Sequence, residues 1–171
     1  RGLGDVYKRQ VRTFVKHAAF LQLVRGRRLR LQRTEPNIGA LATALADPVN
    51  PVTAQYHLAF VASDTFYEHT HRYPGQRHDW QADVDPLLSH AQTYCARIGL
   101  DLSDSDRVRL QHACYELTRG AHSDTPSTAA YLGGVAAQEV IKILTVQYIP
   151  LDNTCVYDGI CLLYTSPSPR D

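Results

Sequence analysis

Residues 131–145 read YLGGVAAQEVIKILT, and this stretch decides the fold class of the chain. Its apolar residues recur at helical spacing, and Thr125-Pro126 just upstream is a typical helix start. One side of the predicted helix carries Leu132, Ala136, Val140 and Ile143, and a polar stripe carries Gln138, Lys142 and Thr145. Gly133 and Gly134 each cost a helix about 1 kcal/mol relative to alanine. We therefore expect another backbone to approach the helix closely at this turn.

A single short strand is predicted after this helix. Beyond Pro150, the residues from Thr154 to Tyr157 alternate as a strand does and run into the turn pair Asp158-Gly159. Cys155 is expected to pack in this strand. Because one strand cannot form a stable sheet alone, we expect most of its sheet to lie outside these 171 residues.

Five more helices are predicted upstream, so the chain is mainly α, with about six helices in all. They are predicted over Val11 to Val24, Ile38 to Ala46, from Asn50-Pro51 to the loop at Tyr73-Pro74-Gly75, from Asp85-Pro86 to Gly99, and from Ser103 or Ser105 to Gly120. The residues predicted to face the core are Val52, Tyr56, Ala59, Phe60, Ser63 and Phe66 in the third helix, Leu88, Ala91, Cys95 and Ile98 in the fourth, and Leu110, Cys114 and Leu117 in the fifth.

Composition excludes two classes of partner. The 18 Lys and Arg residues nearly balance 17 Asp and Glu residues, so no overall field favours nucleic acid or an anionic membrane. The arginine cluster from Arg25 to Arg33 is interpreted as a solvated helix end. The apolar stretch Ala129 to Val146 contains Glu139 and Lys142, which cost about 2 to 3 kcal/mol each in a bilayer centre, so a membrane span is rejected. Four cysteines without a CxxC pair indicate a reduced, intracellular chain.

No residue is predicted to be catalytic, to bind a cofactor or to bind a metal. His69, His71 and His78 lie close in sequence, but side chains two apart on a helix point to different faces, so a solvated polar face is predicted. His112 and Cys114 diverge in the same way, and Cys114 is interpreted as a core residue rather than a nucleophile. Gly2-x-Gly4 is too incomplete to indicate a nucleotide site.

The two ends differ in character from the rest. Residues 1–10, RGLGDVYKRQ, and residues 161–171, CLLYTSPSPRD, look like translated adapter sequence, and we expect both to be non-native. A natural flexible tail is the alternative. The chain has no methionine, and we expect it to be a fragment of a larger protein.

The end of the chain resembles the last helix and following strand of the adenylation fold in ubiquitin-type activating enzymes. The resemblance is carried by Tyr131 to Lys142, by residues 143–147, and then by Asn153-Thr154, Tyr157 and Gly159. Arg72-Tyr73-Pro74-Gly75 and the helix VRTFVKHAAFLQLV at residues 11–24 narrow the resemblance to the regulatory subunit of the neddylation activating enzyme. The resemblance spans about residues 11 to 160. Arg25 to Arg33 is more basic than the family pattern, and Tyr115 to Ser127 is slightly longer.

This resemblance implies the C-terminal part of a ThiF-type, Rossmann-like α/β adenylation fold. Residues 11–124 would be a helical insertion in the place of a catalytic-cysteine domain, without the cysteine, and residues 125–160 would return to the adenylation fold as a helix plus a strand. It also implies a non-catalytic subunit in the cytoplasm and nucleus. Its heterodimer partner would bind ATP and magnesium, adenylate a ubiquitin-like modifier and form a thioester with it.

Two other functions remain open at this point. The chain could come from the corresponding region of a single-chain ubiquitin-activating enzyme. Without the resemblance, it would be a stand-alone helical interaction module.

Overall fold

The computed structural model describes residues 3–18, 34–47, 52–123, 125–151 and 154–157. Within these ranges there are six α-helices and one short 3₁₀ turn, which confirms a mainly helical chain with about six helices. The helices are α1 (Leu3–Ala18), α2 (Ile38–Leu45), α3 (Thr53–Thr70), α4 (Val84–Ile98), α5 (Asp104–Arg119) and α6 (Pro126–Thr145), and the 3₁₀ turn Trp80–Asp83 leads into α4.

Local capping explains where several helices begin and end. Asn37 accepts a hydrogen bond from the Ala40 N–H and begins α2. Ser103 and Asp106 form a reciprocal capping box at the start of α5, as the serine position predicted. Gly99 ends α4 with a φ of 70°, a left-handed conformation that favours glycine. The caps at Ser103 and Gly99 were predicted correctly, because they need only neighbouring residues. The predicted start at Asp85 is wrong, since the 3₁₀ turn carries the chain into α4 at Val84 after Asp83, whose side chain makes no cap hydrogen bond.

The core lies between α3, α4 and α5, which pack against one another. Its buried residues are Leu58, Ala59, Ala62, Phe66, Leu87, Ala91, Tyr94, Cys95, Leu100, Leu110, Ala113 and Cys114. The predicted core positions of α4 and α5 are confirmed, with Leu88, Ile98 and Leu117 partly buried at the edge. Cys95 and Cys114 are core residues, as predicted.

The predicted inner face of α3 is wrong at Phe60. Phe60 is 49% exposed, whereas Leu58 and Ala62 are fully buried. The helix contacts both α4 and α5, so its buried face is centred elsewhere than on Tyr56 and Phe60. That face includes a buried polar residue, Gln55, whose side-chain N–H donates to Asp106 at 3.2 Å.

The first helix differs from its predicted bounds. It begins at Leu3, within the ten residues expected to be non-native, and is described as far as Ala18. Its large apolar residues are exposed, with Val11, Phe14 and Val15 each more than 60% exposed. The remaining part of that predicted helix, the arginine cluster and Asn50-Pro51 lie outside the described residues. Helix α3 begins at Thr53 after Val52, later than the predicted start at Asn50-Pro51.

The last helix begins at Pro126 as predicted, but the strand after it is not found. Residues 154–157 form no strand, and Asp158-Gly159 lie beyond the described part of the chain. Cys155 is exposed, so the prediction that it packs is wrong. A strand requires a neighbour for its backbone hydrogen bonds, and none is present in the described residues. The adenylation-fold context therefore stays a prediction.

Candidate protein-interaction surface

Helix α6 and the segment after it carry an uncovered apolar surface. No residue of α6 is buried. The α6 apolar surface consists of the exposed residues Tyr131, Leu132, Val140, Ile141, Ile143, Leu144, Val146, Tyr148, Ile149 and Leu151. Leu144 is 77% exposed, and exposure of a leucine side chain to water is unfavourable. An exposed group of this many large apolar side chains is typical of a site that another polypeptide covers.

The glycine pair in α6 is open as well. A Cβ atom built on Gly133 or Gly134 would meet no atom within 4 Å among the described residues. The close backbone approach that the glycines predict is therefore not made by this part of the chain. The pair leaves a flat strip on the helix that a second backbone could approach.

Glu139 connects α6 to the chain that follows it. Its carboxylate accepts a hydrogen bond from the Lys142 ammonium at 2.6 Å and another from the backbone N–H of Leu151 at 2.7 Å. These bonds stabilise the ionised form, so the pKa of Glu139 is lowered, mainly by Lys142. The ring of Tyr157 lies 4.6 Å from that of Tyr131, nearer the start of the helix.

Arg72-Tyr73-Pro74-Gly75 is a structural motif that holds the loop after α3 in place. The Arg72 guanidinium donates to both carboxylate oxygens of Asp83, each at 2.5 Å, and the Gly75 N–H donates to the same carboxylate at 2.9 Å. These bonds lower the pKa of Asp83, with the Arg72 hydrogen bond as the largest cause. Gly75 has a φ of 80°, and a Cβ there would lie 2.1 Å from the Thr118 carbonyl oxygen. The motif therefore fixes the α3–α4 loop against α5.

The histidines singled out in the sequence are not brought together. His69 stacks on His90 of α4, with ring centroids 5.2 Å apart and planes 4° apart. His71 ends α3 in a left-handed conformation, and His78 is exposed in the loop. No group of three or more potential metal ligands occurs within the residues that the structure describes.

The two core thiols are poor nucleophiles. Burial raises the pKa of Cys95 to about 11 and that of Cys114 to about 12. His112 is exposed while Cys114 is fully buried, so the two side chains face different environments. The interpretation of Cys114 as a packing residue is confirmed.

Phe60 lines a surface cleft instead of the core. The cleft has a volume of about 420 Å³ and lies between α3, the loop after it and the end of α5. Tyr73, Pro74 and Leu117 form much of its remaining wall. Tyr73 is held there by stacking on Tyr67, with ring centroids 4.8 Å apart.

Sequence reasoning missed the roles of Glu139, Asp83 and His90. Their partners lie 8 to 21 residues away, so they depend on how the chain turns between elements. Only the Glu139–Lys142 pair, at the i,i+3 spacing of a helix, could have been predicted from local pattern.

No protein-family model matches the chain. Individual proteins do. The chain is 32% identical over 91% of its length to the Nedd8-activating enzyme E1 regulatory subunit of Drosophila melanogaster, and 27% identical over 94% of its length to the NEDD8-activating enzyme E1 regulatory subunit AXR1 of Arabidopsis thaliana. A shorter match, 29% identical over 62% of the chain, is to ubiquitin-activating enzyme E1 1 of Schizosaccharomyces pombe.

These similarities first define a class, because every relative named here is an activating enzyme or a subunit of one. Within that class, the matches that cover nine-tenths of the chain are to NEDD8-activating enzyme E1 regulatory subunits, which confirms the resemblance stated from Tyr131 to Lys142 and from Arg72 to Gly75. The chain corresponds to a fragment of such a subunit. It spans 28% of the length of the Drosophila relative and 29% of AXR1.

Proposed function

We propose that the chain is part of the regulatory, non-catalytic subunit of a heterodimeric NEDD8-activating enzyme. In this role it supports a catalytic subunit, which binds ATP and magnesium, adenylates the ubiquitin-like modifier and forms a thioester with it. The similarity to named regulatory subunits over nine-tenths of the chain supports this assignment.

The α6 apolar surface is the observation that carries the proposal. Burial of a large apolar side chain contributes about 1.5 to 3 kcal/mol, so a surface of ten such residues is costly to leave in water. The flat strip at Gly133 and Gly134 lies on the same helix. We propose that α6 packs on a sheet of the Rossmann-like adenylation fold, supplied by polypeptide beyond these 171 residues.

The helical block α3–α5 fits a structural role. It has its own core, and its two core cysteines have raised thiol pKa values that oppose thioester chemistry. We assign it as the insertion that stands in place of a catalytic-cysteine domain. With these reduced thiols, the proposed location is the cytoplasm and nucleus.

The test uses the full-length protein that contains this chain. It is mixed with the catalytic subunit of a NEDD8-activating enzyme and analysed by size-exclusion chromatography with light scattering. We expect one heterodimer peak, and ATP-dependent thioester formation on the catalytic subunit only. Two separate monomer peaks would overturn the proposal, as would a thioester on the chain itself.

The match to ubiquitin-activating enzyme E1 1 supports a second candidate, a region of a single-chain activating enzyme. It covers 62% of the chain, against 91% and 94% for the regulatory subunits, so it is the weaker of the two. The complete reading frame separates them. A second adenylation repeat after residue 160 favours the single-chain enzyme, and a stop codon shortly after favours the regulatory subunit.

A further inference from the structure

The chain reverses direction after α6. Val146 follows the helix with a φ of 54°, a left-handed conformation that a β-branched residue rarely adopts. Leu151 then lies beside Glu139, and Tyr157 lies beside Tyr131, eight residues nearer the helix start. Those eight residues span about 12 Å of helix, a distance that the six-residue separation between Leu151 and Tyr157 covers easily. Leu151 and Tyr157 therefore lie beside α6 in the order opposite to that of the helix residues they contact.

Glu139 is the polar anchor of this reversal in the described residues. Its two carboxylate oxygens have separate partners, since Oε1 accepts from Lys142 and Oε2 accepts from the Leu151 N–H. The Lys142 side chain thus holds the carboxylate in place on α6, and the carboxylate holds the returning chain. A hydrogen bond to an ionised acceptor is stronger than one between neutral groups.

We propose that Glu139 is a positioning residue that fixes Leu151, and through it residues 154–157, along α6, so that the helix and this returning segment dock as one preformed unit against an open sheet. This rests on the proposed function, because the sheet belongs to polypeptide outside the chain. A segment ordered before docking loses less conformational entropy when it docks, which strengthens the association.

The apolar side chains support the same arrangement. Tyr148, Ile149 and Leu151 are at least half exposed and follow α6 in the chain, while Val140, Ile143 and Leu144 are exposed on α6. Both groups belong to the α6 apolar surface. If Leu151 were released from Glu139, the two groups would no longer be held in one arrangement.

The test compares Glu139→Ala, Glu139→Gln and a control, Glu116→Ala, in the full-length protein. Glu116 pairs with Arg119 at the same i,i+3 spacing on α5. Amide hydrogen exchange at Leu151 reports the anchor, and binding to the catalytic subunit reports the proposed function. We expect Glu139→Ala to accelerate Leu151 exchange about tenfold and to lower the melting temperature. Glu139→Gln should restore much of the protection, because its amide oxygen can still accept the Leu151 N–H.

The outcomes distinguish the positioning role of Glu139 from the proposed function. If Leu151 exchange is the same in Glu139→Ala, Glu116→Ala and the unmodified protein, the positioning role is overturned. It is also overturned if Glu139→Gln exchanges as fast as Glu139→Ala. If the unmodified protein does not bind the catalytic subunit, the proposed function fails, while the exchange data still decide whether Glu139 anchors the segment.

Discussion

The Arg72 guanidinium binds the Asp83 carboxylate through two parallel hydrogen bonds, each 2.5 Å long, across the loop that joins α3 to α4. Asp83 is 4% exposed, and its carboxylate also accepts the Gly75 N–H. Arg72 lies over the Phe66 ring as well, with its Cζ 5.1 Å from the ring centroid. This pair links the loop to the core of the helical block.

Replacing Arg72 should strongly destabilise the block. Arg72→Ala leaves a buried carboxylate without its cation, and we expect a loss of about 3 kcal/mol in the free energy of unfolding. Arg72→Lys keeps the charge but loses the paired geometry, so a loss of about 1 to 2 kcal/mol is expected. Urea unfolding followed by circular dichroism measures both. Arg119→Ala, which removes an exposed pair, is the control and should leave the urea midpoint unchanged. Equal midpoints for Arg72→Ala and the control would contradict this account.

Gly75 and Gly99 both have a positive φ but differ in their surroundings. A Cβ at Gly75 would overlap the Thr118 carbonyl oxygen, whereas one at Gly99 would meet no atom of the described residues within 4 Å. Gly99→Ala should cost about 1 kcal/mol from backbone strain alone. Gly75→Ala adds the overlap and should cost about 3 kcal/mol or more. Thermal unfolding of the two variants tests the difference, and a smaller loss for Gly75→Ala would be inconsistent with the packing of its loop against α5.

His90 should make stability depend on pH. Burial, and secondarily the charge of His69, lower its pKa below the ordinary value of 6.5. The unfolded histidine therefore binds a proton more readily than the folded one, and stability falls as pH decreases below about 6.5. Burial lowers the pKa of His57 too, so it contributes in the same direction.

The variant His90→Phe keeps a ring beside Phe66 and His69 and should reduce this pH dependence. Urea midpoints measured from pH 7.5 to pH 5 compare it with His112→Asn, a change at an exposed position. The control should retain the slope of the unmodified chain. An unchanged slope in His90→Phe would show that other groups carry the effect.

Gly133→Ala should act oppositely in two contexts. In the 171-residue chain the new methyl group would meet none of the described residues within 4 Å, and the helix should gain about 1 kcal/mol in stability. In the full-length protein the same methyl group should obstruct the backbone proposed to pack there and lower the melting temperature. Gly39→Ala in α2 is the control, because its Cβ makes only an ordinary contact of 3.6 Å. A gain in both contexts would contradict docking at this turn.

Thiol labelling should distinguish Cys155 from the core cysteines. Cys155 is exposed, whereas Cys95 and Cys114 are buried with raised pKa values. At pH 8 we expect iodoacetamide to modify Cys155 within minutes and the two core thiols only after unfolding in urea. Mass spectrometry of peptides locates the label. Rapid labelling of Cys114 in the native chain would contradict its assignment to the core.

Local pattern predicted the parts of the fold that depend on near neighbours. The starts at Ser103 and Pro126 and the ends at Gly99 and Gly120 follow from caps and from residues that favour particular backbone angles. The buried face of α3 was harder to predict from the sequence. It packs against two helices at once, and a periodic pattern does not say which apolar residue, Leu58 or Phe60, lies in the shared core.

The candidate surface was predicted in part. The glycine pair and apolar face of α6 indicated a missing neighbour, and both are uncovered in the described residues. The link from Glu139 to Leu151 was not predicted, since it depends on the reversal at Val146, where the sequence carries no turn residue.

The sequence by itself determined that the chain is mainly helical, the caps at Ser103 and Gly99, the two buried cysteines and the likeness to activating-enzyme regulatory subunits, because these depend on residue type and spacing along the chain. Only the tertiary structure decided that Asp83 meets Arg72, that His90 stacks on His69 and that Leu151 returns to Glu139. Those contacts arise where separate elements pack and turn, and their geometry is set by the folded chain as a whole rather than by any short segment of it.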